Sequence, residues 1–210
     1  MNNLAQHVED SLSKANNDDS GLTDEILDIE GMSGRKTRHF YNNLCSAPDV
    51  RYLEIGTWKG STFCSAMYNN NITCLGIDNW SLFGGPKEEF LQNFNKFRGD
   101  NNAAFIEKSC WEVDVSAIGK FNIYMYDGKH TKNSQYQALN YYLPCLDDEF
   151  IFIVDDWNEG RVQHGTLDSI KDNNLDITYR KEIFSDRNPG AQRSDNAWHN
   201  GIGIFILQFS

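Results

Sequence analysis

The stretch Tyr52-Leu-Glu-Ile-Gly-Thr-Trp-Lys-Gly-Ser-Thr62 decides the fold, because an apolar run ends in a glycine-bearing turn and continues into a helix beginning near Gly60. Gly56 permits a tight turn and close approach of a ligand to the backbone, and Gly60 permits close packing of the helix on the strand. In open α/β sheets ligands bind beyond the carboxyl ends of the strands. We therefore expect a binding site directly after this first strand.

The same order of strand and helix repeats from residue 50 to the C-terminal end. Strands are predicted at residues 51–56, 73–78, 104–108, 122–126, 150–154, 177–184 and 203–209. This alternation predicts the α/β class, with a mostly parallel seven-stranded sheet and helices on both faces. The segment before the last strand, residues 185–200, carries turn signals and no helical pattern, so we expect the final two strands to be antiparallel.

The first fifty residues differ from the rest of the chain. The polar break Asn16-Asn-Asp-Asp-Ser-Gly21 separates two helices that we predict at residues 4–15 and 34–45, the second one capped by Ser33. We interpret residues 1–49 as a small helical cap or lid and residues 50–210 as the main domain.

The charge of the chain excludes several classes of partner. Its 210 residues contain 19 Lys and Arg against 30 Asp and Glu, a formal charge of −11, which argues against a nucleic-acid or membrane partner. No apolar stretch approaches the length of a membrane span, and the N-terminus lacks the features of a signal peptide, so we expect a cytoplasmic protein. Five widely spaced cysteines fit reduced thiols better than disulfides or structural zinc. A homo-oligomer remains possible, since the sequence does not fix the oligomeric state.

The first two strand ends suggest a nucleoside site. Asp78 follows Gly56 by 22 residues, the spacing expected of an acid that binds ribose hydroxyls. The turn lacks the middle glycine of a dinucleotide fingerprint, so a pyrophosphate would meet Trp58 and Lys59, and a nucleoside without phosphates is favoured. Alternatively, the glycines form an ordinary strand-to-helix turn, and Asp78 caps a turn with Asn79.

The third strand end offers an edge for a nucleobase. Ser109 and Cys110 lie where the edge of an adenine would be, and Trp111 could form a ring wall. Equally, Trp111 could be a core residue of the helix that follows.

The fourth and fifth strand ends carry three carboxylates, Asp127, Asp155 and Asp156, each after a strongly apolar run. Oxygen ligands of this kind suit Mg²⁺, although Asp155 and Asp156 can both coordinate only if the regular strand ends by Val154. The alternative is that one of the pair caps a helix and the other forms a salt bridge. His130 would lie close enough to take a proton from a substrate hydroxyl, whereas a turn role is expected for His199.

Four motifs occur in an order that resembles a known family: Leu53-Glu-Ile-Gly-Thr-x-x-Gly-Ser-Thr62, Gly76-Ile-Asp-Asn-Trp80, Tyr126-Asp-Gly-x-His130 and Val154-Asp-Asp156. The chain is similar to the class I S-adenosylmethionine-dependent methyltransferases, and most similar to their macrocin O-methyltransferase-like group, which modifies sugars. The resemblance implies a Rossmann-like fold and methyl transfer to a hydroxyl of a sugar or similar small molecule.

The resemblance also implies site residues. The cofactor S-adenosylmethionine is expected to be bound by Glu54, Gly56, Thr57, Gly60, Ser61, Thr62, Asp78, Asn79, Trp80, Ser109, Cys110, Trp111 and Asp127. Mg²⁺ would fall on Asp127, Asp155 and Asp156, and the catalytic residues would be His130 and Asp127. The chain departs from the family pattern at Lys129, at Thr131-Lys132 and near Ala138.

Other functions fit parts of the same pattern. A metal-dependent hydrolase could use the three carboxylates and His130 to activate water, but it leaves the spacing of Gly56 and Asp78 unexplained. A non-catalytic cofactor-binding protein would explain the departures around Lys129. An NAD-dependent oxidoreductase is disfavoured by the missing glycine.

Overall fold

The computed structural model describes residues 3–185 and 198–210, so most of the predicted turn segment before the last strand lies outside the described residues. The seven strands are β1 (Arg51–Ile55), β2 (Thr73–Asp78), β3 (Asn102–Glu107), β4 (Phe121–Tyr126), β5 (Leu146–Asp155), β6 (Leu175–Ile183) and β7 (Ile202–Phe209). They form one sheet in the order β3-β2-β1-β4-β5-β7-β6. Strands β1 to β5 are parallel, and β7 runs antiparallel to both neighbours. The predicted fold class is confirmed.

Strand β5 begins four residues before the predicted start, at Leu146. The residues that follow Leu146, Asp147-Asp-Glu149, are acidic, and their local sequence predicts a loop. The strand forms there because Leu146 pairs with Phe121 on β4 and because Asp147 forms an ion pair with Arg51 at the start of β1. Tertiary pairing thus overrides the local polarity of the segment.

The helices are α1 (Asn3–Asn16), α2 (Asp24–Leu27), α3 (Arg35–Leu44), α4 (Ser61–Met67), α5 (Lys87–Phe97), α6 (Lys132–Tyr142) and α7 (Gly160–Asp172). Both predicted N-terminal helices are present, and the short α2 lies between them. The expected capping by Ser33 is wrong, because the residue before α3 is Gly34 and no side chain caps the helix. Instead the Ser33 hydroxyl accepts a hydrogen bond of 3.0 Å from Nε of Arg38.

Two hydrophobic clusters lie on opposite faces of the sheet. One joins the N-terminal helices to α4 and α5, with Val8, Phe40 and Phe63 among its buried members. The other joins α6 and α7 to the opposite face and includes Leu139 and Val162. The N-terminal helices therefore share a core with the sheet. All five cysteines are free thiols, as expected. Within the described part of the chain, no helix is both long enough and apolar enough to cross a membrane.

Glu54 is a buried carboxyl group inside the first core. It has no exposed surface, and it accepts hydrogen bonds from the hydroxyls of Tyr52 and Thr62, the second at 2.7 Å. Burial raises the pKa of Glu54 to about 8, and the two hydrogen bonds lower it only in part. Burial therefore favours the protonated, neutral form of this side chain in the folded chain.

Close packing of α6 on α7 depends on Gly165. A Cβ atom at this position would lie 2.3 Å from the carbonyl oxygen of Lys132 and 2.8 Å from Cβ of Gln135. Because Lys132 begins α6 and the first contact is with backbone, the helices could accept a side chain only by moving apart.

Gly165→Ala is therefore expected to destabilise the protein by about 2 kcal/mol, or about 4–8 °C in Tm, although alanine favours a helix over glycine. The matched control is Gly160→Ala on the same helix, where a Cβ would meet nothing within 4 Å. In thermal denaturation, the control variant should melt at the wild-type temperature or slightly above it. Equal melting temperatures for the two variants would contradict the packing argument.

The Glu54 carboxyl predicts a pH dependence of stability. Between pH 4.5 and about 8 the unfolded chain releases this proton and the folded chain keeps it, so stability falls as the pH rises through that range. The slope contributed is on the order of 1.4 kcal/mol per pH unit. Glu54→Gln should remove that part of the slope in chemical denaturation series between pH 5 and 8. Parallel stability curves for the two proteins would show that Glu54 is ionised in the fold.

Candidate functional site

The ends of β1 and β4 touch directly at Gly56. This residue has a φ of +91°, and a Cβ there would lie 2.0 Å from the carbonyl oxygen of Asp127. The Gly56 amide donates to Ile77 on β2, and the Asp127 amide donates to Ile55, each at 2.9 Å. Glycine is thus required both for its conformation and for the close approach of the two strands. Asp127 is held directly beside the turn.

The turn after β1 leads into α4 through Gly60, which has a φ of +86°. The Ser61 hydroxyl lies 3.3 Å from that of Ser33 in the N-terminal cap, while Thr62 is committed to Glu54. Thr57 is buried, and its hydroxyl has no hydrogen-bond partner among the described residues. The turn therefore holds a buried polar atom whose partner a ligand could supply. Glu54 has no surface to offer, so any effect on a cofactor would pass through its neighbours.

Asp78 lies at the end of β2 and organises the loop that follows. Its two carboxylate oxygens accept the backbone amides of Trp58 and Trp80, each at 2.8 Å. Asp78 therefore caps the turn. Each of its carboxylate oxygens also keeps a lone pair that could accept a hydrogen bond from a ribose hydroxyl. Asn79 accepts from the backbone and hydroxyl of Ser81.

Trp80 differs from its predicted role. The indole is 6% exposed and packs on Phe90 of α5, with ring centroids 4.9 Å apart. Its Nε1 donates to the carbonyl of Trp58 at 2.7 Å. Trp80 therefore stabilises the loop after β2 through its contacts with Trp58 and Phe90. It presents little ring surface to a ligand.

The third strand end lies next to the second. Cys110 and Trp111 belong to a short 3-10 turn that is capped by the Ser109 hydroxyl. Burial raises the pKa of the Cys110 thiol to about 11, and the nearby charge of Asp78 also raises it. Trp111 is 37% exposed and meets Tyr141 edge-on at 5.8 Å. The interpretation of Trp111 as a core residue is thus wrong, and its ring remains available as a wall.

His130 joins the ends of β4 and β5. Its Nε2 lies 3.2 Å from Asp127, and its Nδ1 lies 2.6 Å from Asp156. Burial alone would lower the pKa of His130, but hydrogen bonds and attraction from the two carboxylates raise it to about 10. The imidazole is therefore a cation shared by two acids. The spacing of Asp127 and His130 predicts that they lie close together, whereas nothing in the sequence indicates the bond to Asp156.

The three carboxylates do not form the expected metal site. Asp155 is still part of β5, paired with Ile202, whereas Asp156 leaves the strand with a φ of +56°. Burial and the charges of Asp127 and Asp156 raise the pKa of Asp155, which favours its neutral form. Across residues 3–185 and 198–210, no three His, Cys, Asp or Glu side chains are arranged to hold a metal ion. The magnesium site therefore does not fit this arrangement, in which His130 lies against two of the three proposed ligands.

One residue of the site could not be predicted from the sequence. Asn200 donates a hydrogen bond to Asp156, which helps to hold the pKa of that carboxyl below its usual value even though burial opposes this. Its neighbour His199 lies in a turn with a φ of +47°, as expected. Asn200 belongs to no motif that could have marked it.

Comparison with known structures supports the fold. TrmN from Thermus thermophilus has a TM-score of 0.61 at 9% identity, with 89% of this chain and 52% of that chain covered. Cofactor-bound Rv0187 from MTB gives 0.59 at 12% identity, with 97% and 90% covered. SAH-bound PaMTH1 from Podospora anserina gives 0.59 at 13% identity, with 100% and 88% covered. The chain thus spans about half the length of TrmN and most of the other two.

Comparison with curated proteins gives no match. A family model described as a methyltransferase domain matches residues 53–157, which is half of the chain and spans the strand ends described above. The chain therefore belongs to this family of methyltransferase domains and has the Rossmann-like fold of the class I S-adenosylmethionine-dependent methyltransferases.

Proposed function

We propose that this protein is an O-methyltransferase that transfers the methyl group of S-adenosylmethionine to a hydroxyl of a sugar or similar small molecule, as in the macrocin O-methyltransferase-like group. The observation that carries the proposal is the cluster of Asp127, His130 and Asp156 beside the turn at Gly56. A carboxylate next to a cofactor turn can accept the proton that a hydroxyl loses when it is methylated.

The described residues fit the cofactor. Asp78 keeps lone pairs for ribose hydroxyls, Trp111 offers an exposed ring at the neighbouring strand end, and Thr57 holds an unpartnered hydroxyl at the turn. A nucleoside cofactor needs no cradle of free amides for phosphate. This agrees with the missing middle glycine, which leaves Trp58 and Lys59 where a pyrophosphate would need bare backbone. When bound, S-adenosylmethionine supplies an electrophilic methyl group.

The residues of the chain would align the acceptor and take its proton. Asp127 is the proposed proton acceptor, because His130 is already protonated between two acids. The bond from His130 fixes the orientation of the Asp127 carboxylate, and Asp156 with Asn200 fixes His130. Alignment of donor and acceptor supplies much of the rate enhancement in a displacement of this kind. The proposal uses no metal ion, because the described carboxylates are arranged as an ion-paired cluster.

Asp127→Asn is expected to lower turnover by about 10²- to 10⁴-fold, since the amide keeps the shape of the side chain but cannot accept a proton in the same way. Affinity for S-adenosylhomocysteine should stay close to that of the wild type. Turnover is measured as S-adenosylhomocysteine released from S-adenosylmethionine in the presence of a panel of sugars and glycosides, and affinity is measured by calorimetry.

The matched control is Asp168→Asn, a carboxylate paired with Lys132 on the outer surface of α7. It should keep full activity. A chelator should also leave activity unchanged, whereas loss of activity that Mg²⁺ restores would reinstate the metal site. Wild-type turnover by Asp127→Asn would contradict the proposed role. Binding of S-adenosylhomocysteine without turnover on any acceptor would favour a non-catalytic cofactor-binding protein.

A further inference from the structure

The loop between β2 and α5, residues 79–86, exposes two large apolar side chains next to each other. Leu82 is 66% exposed and Phe83 is 70% exposed, which makes them the most exposed large apolar side chains among the described residues. Isolated exposed apolar residues are ordinary, whereas contiguous ones mark ligand-binding or interaction surfaces. The tip of this loop is therefore a candidate binding surface that any ligand in solution can reach.

Two contacts hold the loop across the ends of β1, β2 and β3. The loop begins directly after Asp78 at the end of β2. The Phe83 carbonyl accepts a hydrogen bond of 3.3 Å from Nε1 of Trp58, which belongs to the turn after β1. Just beyond the loop, Nζ of Lys87 lies 2.6 Å from Glu107, the last residue of β3. The loop thus lies at the strand ends that form the nucleoside end of the candidate site.

Phe83 occupies the tip of this loop in an unfavourable conformation. The Gly85 amide donates to the Leu82 carbonyl at 3.1 Å, which closes a tight turn over residues 82–85. Both central residues of the turn have a positive φ, +52° at Phe83 and +86° at Gly84. Asparagine, aspartate and glycine suit the first of these positions, whereas a bulky side chain is disfavoured there. The turn itself does not need phenylalanine, so the ring is explained by a contact outside the turn.

The loop has the chemistry of a surface for an uncharged aromatic ring. Residues 79–86 include no acidic or basic side chain. The amino-acid part of S-adenosylmethionine carries a carboxylate and an ammonium group, and its sulfur is positive. The adenine is uncharged, and its flat faces stack on aromatic side chains. Adenine is therefore the part of the cofactor that suits this loop.

A second copy of the chain fits the same surface less well. A fully buried aromatic side chain contributes about 150–250 Å², whereas a stable interface buries about 800 Å² on each partner. Leu82 and Phe83 are followed by Gly84 and Gly85, which have no side chains to extend the apolar surface. The pair has the size of a contact with a small ligand.

We propose that Phe83 and Leu82 form a wall of the cofactor site and cover the adenine of S-adenosylmethionine. Asp78, the residue proposed for the ribose, directly precedes the loop, so the base attached to that ribose lies beside it. The exposed ring of Trp111 lies at the neighbouring strand end. Covering the base removes apolar surface from water and thereby strengthens binding. The proposal rests on the proposed use of S-adenosylmethionine, and it adds two residues to the predicted cofactor contacts.

The test uses Phe83→Asn, which removes the ring and suits the turn. Without ligand, this variant should melt at or above the wild-type temperature, because asparagine adopts a positive φ more readily. In calorimetry it should bind S-adenosylhomocysteine about tenfold more weakly. Leu82→Ser should weaken binding by a smaller factor, about threefold.

The matched control is Phe184→Asn. Phe184 is 57% exposed and follows β6, which lies five strands from β2 in the sheet. That separation is about 24 Å at the usual spacing of strands. The control variant should bind S-adenosylhomocysteine as the wild type does. An equal loss of affinity in Phe184→Asn would overturn the proposal.

A second ligand locates the contact. 5′-Methylthioadenosine keeps the adenine and lacks the amino-acid part, so Phe83→Asn should weaken its binding by the same factor. Unchanged affinity for both ligands would overturn the proposal, as would a loss confined to S-adenosylhomocysteine. A melting temperature below that of the wild type would show that Phe83 supports the loop itself, and this too would overturn it.

Sedimentation velocity separates the other occupant of the surface. A wild-type dimer that Phe83→Asn dissociates, with ligand affinity unchanged, would assign the surface to a second copy of the chain and contradict the proposal. If the wild type bound neither S-adenosylhomocysteine nor 5′-methylthioadenosine, the proposed function would fail, and the assignment of this loop would fail with it.

Discussion

The parallel pairing of β1 with β4 and of β4 with β5 is the constraint on which the site depends. It sets Gly56 against the carbonyl of Asp127 so closely that no side chain fits between them, and it places the end of β5 next in the row. Strands β4 and β5 each lead from a run of buried apolar residues to an aspartate, Asp127 and Asp155. The hydrophobic core therefore aligns the strands, and the alignment concentrates acids at one edge of the sheet.

The concentration of acids has an electrostatic cost that the fold meets in three ways. Glu54 and Asp155 are buried, and raised pKa values favour their neutral forms. Asp127 and Asp156 share the cationic His130. Asp78 binds two backbone amides. Of the 30 acids in the chain, these few are structured by the site. The charge that remains, on Asp78 and on the Asp127–His130–Asp156 cluster, is negative and suits a sulfonium cofactor.

Much of the fold could be predicted because its signals are local. Apolar runs, glycine turns and helical periodicity lie within short windows, and they gave the strands and the sheet class. The start of β5 and the cap of α3 could not be predicted in this way. The start of β5 depends on the ion pair between Asp147 and Arg51. Ser33 does not cap α3 because its hydroxyl accepts a hydrogen bond from Arg38.

The positions of the site residues at the strand ends could be predicted, whereas the hydrogen bonds and ion pairs between these residues could not. Asp78, Asp127 and His130 follow apolar runs, which marks them in the sequence. The bond between His130 and Asp156 links the ends of two neighbouring strands, β4 and β5. Because of this bond, the residues expected to hold a metal form an ion-paired cluster instead. The burial of Trp80 depends on its packing against Phe90 of α5. Such relations arise only from tertiary packing.

The central claim is that the ends of β1, β2 and β3 bind the cofactor while Asp127, His130 and Asp156, at the ends of β4 and β5, act together beside it. A crystal structure of the protein with S-adenosylhomocysteine, grown with Mg²⁺ present, tests this most directly. We expect the ribose hydroxyls to bind Asp78. We also expect His130 to remain bonded to both Asp127 and Asp156. A ligand bound elsewhere, or a metal ion held by Asp127, Asp155 and Asp156 with His130 displaced, would contradict it.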